Sequence, residues 1–83
     1  MAKPSVGLDV GSSSCHLVAL DQEGRMLRNL QFLTNEAKLI SAVAGLPGEV
    51  HVHLEASELA GWVRSVLQGR VARIVVSHAK TNA

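Results

Sequence analysis

Tyrosine is absent, and Phe32 and Trp62 are the only aromatic residues among 83. Binding of single-stranded nucleic acid by stacked bases needs a row of aromatic faces, so that mode has almost nothing to work with. One cysteine, Cys15, excludes an intramolecular disulfide framework and a cysteine-rich zinc site. An excess of either charge is lacking too. Eight Lys and Arg stand against seven Asp and Glu, a net +1, which excludes a polybasic arm that grips nucleic acid by charge alone. No apolar run approaches the roughly 20 residues of a membrane-spanning helix. The opening Met-Ala-Lys-Pro leads straight into a strand pattern, with no signal-peptide stretch. The expectation is a cytoplasmic, reducing setting with no membrane partner.

What is present suits a core. Hydrophobic residues make up 47% and charged residues 18%, a balance that argues against intrinsic disorder. The length allows one small domain over residues 1–83, and a chain of this size buries about 60% of its unfolded surface. Its core must be built from Val, Leu, Ile and Ala.

Periodicity divides the chain into seven elements. Over residues 5–10, Val6, Leu8 and Val10 alternate with Ser5, Gly7 and Asp9, which predicts a short strand. Gly11-Ser12-Ser13 is a tight turn. Residues 15–21 form a second strand, Asp21–Gly24 a hairpin loop with Gly24 suited to positive φ, and residues 25–33 a third strand. The period then changes. Thr34 or Asn35 can cap a helix that carries Glu36 in its first turn and an apolar stripe of Leu39, Ile40, Val43 and Leu46, stopped by Pro47-Gly48. In residues 49–55, Val50, Val52 and Leu54 face one way, while Glu49, His51, His53 and Glu55 face the other. Ser57 is positioned to cap a second helix with the stripe Leu59, Trp62, Val63, Val66 and Leu67, ended by Gly69. Gly61 inside that helix suggests close packing on the sheet. Residues 71–76 form the last strand.

The order β-β-β-α-β-α-β predicts an α/β fold with a mixed sheet. Right-handed crossovers place strands four and five beside strand one. This is the RNase H-like topology without its final helix. Without that helix, one sheet face should stay partly uncovered as an apolar patch that invites self-association.

Asp9 lies within the first strand, where an ionised carboxylate costs several kcal/mol unless paired or metal-bound. It is a candidate Mg²⁺ ligand; the alternative is a cap on the turn at residues 11–14. Glu55 ends the fourth strand, where α/β sheets place their sites, and the topology brings it toward Asp9. Two neighbouring carboxylates repel unless a cation sits between them. The alternative for Glu55 is support of the next helix N-terminus. His51, His53 and Glu55 alternate at a spacing that permits zinc, although such histidines are more often an exposed strand face. Gly11–Ser14 offers backbone amides and hydroxyls to a phosphate, or is an ordinary hairpin turn. It lacks the spacing and the lysine of a P-loop. His16 and His78 have no partner that the sequence names, and Cys15 reads as a small core residue.

Two motifs carry a family resemblance. Val6-Gly7-Leu8-Asp9-Val10-Gly11, followed by Leu17–Asp21 and Gly24–Leu27, is similar to the start of the Piv-type DNA invertases and DEDD insertion-sequence transposases. Leu54-Glu55-Ala56-Ser57, with Trp62 seven residues after Glu55, resembles that family's Glu-Ala-Thr/Ser element. The similarity runs from about Val6 to Val76.

The resemblance implies the N-terminal part of a RuvC-like catalytic domain that cuts DNA with Mg²⁺ or Mn²⁺ on four carboxylates. Asp9 would be the first catalytic and metal-binding residue and Glu55 the second. The remaining Asp-x-x-Asp pair has no match, since neither Asp nor Glu occurs after Glu58. Lys80-Thr81-Asn82-Ala83 is similar to the family's Lys-Thr-Asp lead-in, with Asn82 where an Asp would stand. The chain then reads as a truncated transposase, expected not to cleave DNA alone. DNA, a guide-like RNA and homo-oligomerisation are the implied partners of the full-length family. Sugar kinases and actin-like ATPases open with a similar Asp-x-Gly-Ser/Thr strand, which gives the alternative of a phosphate-binding subdomain. A third reading is a non-catalytic interaction module derived from a decayed transposase.

Overall fold

The structure, a computed structural model, describes residues 2–78. The chain runs β1 (Ser5–Val10), β2 (Ser14–Leu20), β3 (Met26–Leu33), α1 (Glu36–Val43), β4 (His51–Glu55), α2 (Ala60–Leu67) and β5 (Arg73–Ser77). The strands form one sheet in the order β3-β2-β1-β4-β5. Neighbours β1, β2 and β3 are antiparallel, whereas β4 is parallel to β1 and β5 is parallel to β4. This is the RNase H-like mixed sheet that the element order predicts. One placement differs: only β4 lies beside β1, and β5 lies one strand further out.

The alternation in β1 sets the layers. Val6 and Leu8 are buried, and across the sheet they meet Ala19 and Leu17 of β2 and Val52 and Leu54 of β4. Leu39, Ala42 and Val43 of α1 and Val63, Val66 and Leu67 of α2 close over the same face in a single core cluster. Cys15 is buried within that cluster, as a small core residue should be. Among the described residues, the fourteen apolar side chains of the buried core include no aromatic ring; Phe32 and Trp62 pack at the margin. Burial of apolar area of this kind contributes about 25 cal/mol per Å² and is the main term holding helices to sheet.

The turns have specific causes. Gly24 takes φ +82° in the β2–β3 loop. There the Asp21 carboxylate accepts the backbone N–H groups of Glu23 and Arg25 at 2.9 and 2.8 Å. Helix α1 is capped by Asn35, whose side-chain oxygen accepts the Lys38 N–H at 2.8 Å. It ends earlier than Pro47-Gly48, because Gly45 at φ +81° already breaks the ladder. Leu46 lies outside the helix and still packs on the core. The last turn of α1 has no basic residue of its own. Arg28 of β3 supplies one: its Nη1 donates to the carbonyls of Ala42 and Ala44 at 2.7 and 2.8 Å. That satisfies orphan acceptors and opposes the negative end of the helix dipole.

Two sequence expectations for α2 are corrected. Ser57 is not its cap: the N-cap position is Leu59, without a side-chain bond, and the Ser57 hydroxyl accepts the Leu59 N–H at 3.2 Å in the turn before the helix. Gly61 is not a close-packing site either, since it is exposed and a Cβ added there would meet nothing within 4 Å. Gly69, at φ +80°, does end the helix. The face of the sheet opposite the helices is open, as expected, and it carries both polar and apolar side chains. Ser5, Gly7, Asp9, His16, His53, Glu55 and Ser77 are exposed there, with Val18 and Val75 half-buried. The large exposed apolar side chains among the described residues lie on β3, where Met26 and Leu33 pair with Leu20 and Ser14 and so share this face.

Two substitutions test this packing. Gly61→Ala is expected to stabilise the chain by about 1 kcal/mol, from helix propensity alone; urea unfolding measures it. Arg28→Met keeps the stem and removes the donor, and is expected to cost about 1.5 kcal/mol in the same assay.

Candidate functional site

The site follows from strand parity. In the parallel pair, Gly7 lies opposite His53 and Leu8 opposite Leu54. One step further, at the carboxyl ends of both strands, Asp9 stands beside Glu55. Adjacent strands are about 4.8 Å apart. Leu8 and Leu54 point into the core, so Asp9 and Glu55 both point to the open face. On the other side of β1, Asp9 is paired with His16 of β2. Beyond β4, Glu55 is paired with Ser77 of β5. All four residues, with Gly7, His53 and His78, line one wide hollow of about 640 Å³.

Gly7 is the floor of this hollow. A Cβ added there would meet nothing within 4 Å, so the sheet does not need glycine for packing. Lacking a side chain, Gly7 leaves room between His53 on β4 and Val18 on β2, its neighbours in the same row.

The structure shows neither structural alternative for the carboxylates. Asp9 does not cap the following turn: the Gly11 N–H is taken by the Ser14 carbonyl at 2.9 Å. Glu55 does not support α2, which begins at Ala60 behind the Ser57 turn. Among the described residues neither carboxylate joins an ion pair. Both are exposed, so the burial cost expected for Asp9 does not arise. Two exposed oxygen donors side by side suit a hard, hydrated cation such as Mg²⁺, which keeps most of its waters and takes one or two carboxylates.

The zinc arrangement is a different matter. His51, His53 and Glu55 share a face, but residues two apart on a strand are separated by about 6.6 Å. No group of three or more His, Cys, Asp or Glu among the described residues is close enough to hold a metal ion. His51 instead leans to Glu49, with Nε2 at 4.0 Å from the carboxylate.

The turn beside the site is built in an unusual way. Ser12 and Ser13 join β1 to β2 without the positive φ that two-residue hairpin loops favour. Gly11 tolerates no Cβ, which would meet the Ser14 carbonyl oxygen at 2.9 Å. Thr34, just after β3, holds the turn from outside: its hydroxyl donates to the Gly11 carbonyl at 2.7 Å, and its N–H donates to the Ser13 carbonyl at 3.0 Å. The Cys15 sulfur lies 3.4 Å from the same hydroxyl. Of the donors that a phosphate cradle would offer, the Gly11 N–H is thus spent within the fold.

The sequence left His16 and His78 without partners, yet the structure brings both to the hollow. His16 was findable. A two-residue turn between Gly11 and Ser14 fixes the register, and counting back from it puts His16 opposite Asp9. The ring of His16 is held by Asn29, with Nε2 to Oδ1 at 2.6 Å. The Lys80–Ala83 motif lies outside the described residues.

No protein-family model matches this chain, and no curated protein matches it. Among solved structures it is similar to a foamy viral protease-reverse transcriptase (dRH) in complex with double-stranded DNA. The TM-score is 0.57 at 11% identity, over 99% of this chain and 20% of that one. The chain therefore spans about a fifth of that protein, and the likeness is one of fold. Among the described residues no helix is long and apolar enough to cross a membrane.

Gly7→Val is expected to leave the fold intact and raise stability by about 0.5–1 kcal/mol, because glycine is a poor strand residue and the space is free. Thermal unfolding checks this; a clear loss of stability would mean that Gly7 serves the sheet and not the hollow.

Proposed function

We propose that this chain is the N-terminal part of the metal-dependent DNA-cleaving domain of a DEDD-type insertion-sequence transposase or invertase. Asp9 and Glu55 are the two carboxylates that hold Mg²⁺ or Mn²⁺. The observation that carries the reading is the placement of these residues side by side in one hollow, toward the carboxyl ends of adjacent parallel strands: both are exposed and, among the described residues, free of ion pairs. The sequence motifs around both residues support it, as does the fold shared with a solved enzyme that is bound to double-stranded DNA.

A divalent ion bound there would polarise a phosphodiester and supply an activated water. The chain's own part is to present two oxygen donors from rigid strands and to leave the approach clear. Gly7 allows a sugar-phosphate backbone to come close to the sheet. His16, whose Nε2 donates to the Asn29 Oδ1, stands beside Asp9. Clamping both the attacking and the leaving oxygen calls for further carboxylates, and none follows Glu58. Isolated, the 83 residues would bind an ion and leave DNA intact. The guide-like RNA and the oligomer of the full-length family, and a cytoplasmic setting, belong to the same proposal.

An amide NMR titration with Mn²⁺, then with ATP, tests the site. Broadening is expected around Asp9 and Glu55 together, unchanged by ATP and reduced at least tenfold in Asp9→Asn. Broadening confined to His51 and Glu49 would defeat the metal reading. Shifts at Gly11–Ser14 that require ATP would favour a nucleotide-binding subdomain.

A further inference from the structure

We propose that β3 is a dimerisation edge, on which the β3 of a second copy of this chain adds antiparallel about a two-fold axis at Leu30. The two sheets then run on as one.

The first observation is where the exposed apolar side chains lie. Met26, Leu27, Leu30 and Leu33 are the large exposed hydrophobics, and all belong to β3. Met26 is 59% exposed and Leu33 65%. The second is that β3 is an edge strand, bonded among the described residues to β2 alone. Proteins usually blunt such an edge with lysine, proline or an inward charge. Residues 26–33 hold no lysine and no proline. Their one charge, Arg28, is turned to the carbonyls of α1.

The third observation fixes the partner. The Thr34 N–H points to β2, where the Ser13 carbonyl accepts it. Backbone groups alternate along a strand, so Phe32, Leu30 and Arg28 also bond toward β2. Asn29 and Gln31 then direct their N–H and C=O groups outward. A bulge lies near Leu27, where the pairing with β2 shifts register.

Residues directly opposite in an antiparallel pair share a face, which limits the registers a second β3 can adopt. Centring the axis at Leu30 matches like with like. Leu30 meets Leu30 of the second copy, and Leu27 meets its Leu33. Asn29 and Gln31 exchange both backbone bonds and set amide beside amide. Arg28 comes beside Phe32. No like charges face each other. Moving the axis to Asn29 would set Leu27 against Gln31 and Arg28 against Leu30. The strand thus complements itself about Leu30, which is why a second copy is the occupant.

Cysteine cross-linking tests both the edge and the register. Leu30 falls at a pair that is not hydrogen-bonded, where Cα atoms are about 4.5 Å apart and a disulfide can form. Leu33 would lie about 20 Å from its own counterpart. The native Cys15 is buried, so each variant has one accessible thiol. Under mild oxidation Leu30→Cys is expected to give a covalent dimer at least tenfold faster than Leu33→Cys. Light scattering of the unmodified chain should show a concentration-dependent dimer. Gln31→Pro removes an outward N–H that the single copy does not use, and should give a monomer with an unchanged circular dichroism spectrum. An unmodified chain that stays monomeric at millimolar concentration would overturn the proposal. So would equal cross-linking rates for the two cysteine variants, or a Gln31→Pro protein that is folded and still dimeric. A monomer whose outward β3 amides are protected from hydrogen exchange would assign the edge to another stretch of chain, against a second copy.

Discussion

Everything in this structure depends on the central position of β1. It is hydrogen-bonded along both edges, antiparallel to β2 and parallel to β4. A central strand has no freedom to slip, because a shift of one residue would turn Val6 and Leu8 out of the core and bring Ser5, Gly7 and Asp9 into it. Its neighbours inherit that parity. Leu17 and Ala19 on one side and Val52 and Leu54 on the other are buried because they stand beside Leu8 and Val6. Both helices then cover the apolar face, and the polar face stays in water.

The same constraint makes the site. An aspartate one residue past Leu8 and a glutamate one past Leu54 emerge side by side on the wet face without any loop to place them. Strand backbones hold a separation more firmly than loops do. The turn that follows Asp9 is fixed from a distance by Thr34. The cost is small, since exposed carboxylates keep much of their hydration and the fold contributes only their separation.

Much of this was legible in the sequence because it rests on local periodicity. The alternation of residues 5–10 and 49–55, the Asn35 cap, the positive φ of Gly24 and Gly69, and the meeting of Asp9 with Glu55 all follow from spacing and topology. What escaped depends on what lies far away along the chain. Gly61 read as a packing glycine because its cost in a helix suggests a reason, and the reason is absent from the space around it. Ser57 has the composition of a cap but stands two residues too early. Arg28 is a strand residue whose purpose is a helix terminus fourteen and sixteen residues away. The open face was expected to be an apolar patch by analogy with a missing layer, and its large exposed apolar side chains are confined to β3. The sequence already places Asp9, His53 and Glu55 there, and these are residues that water can cover.

The two partners of β1 also arrive at very different times. β2 follows it after a two-residue turn, so that ladder closes as a local event. His51, which pairs with Ser5, comes only after the whole meander and α1. Until then the far edge of the central strand is bare, and closing the long loop to β4 is the entropically expensive step. The Ala2 carbonyl waits on the same event, because its acceptor role is filled by the Glu49 N–H at 2.8 Å. Assembly therefore has a built-in order. The hairpins can form early, whereas the pairing that brings Asp9 to Glu55 belongs to the late, non-local step.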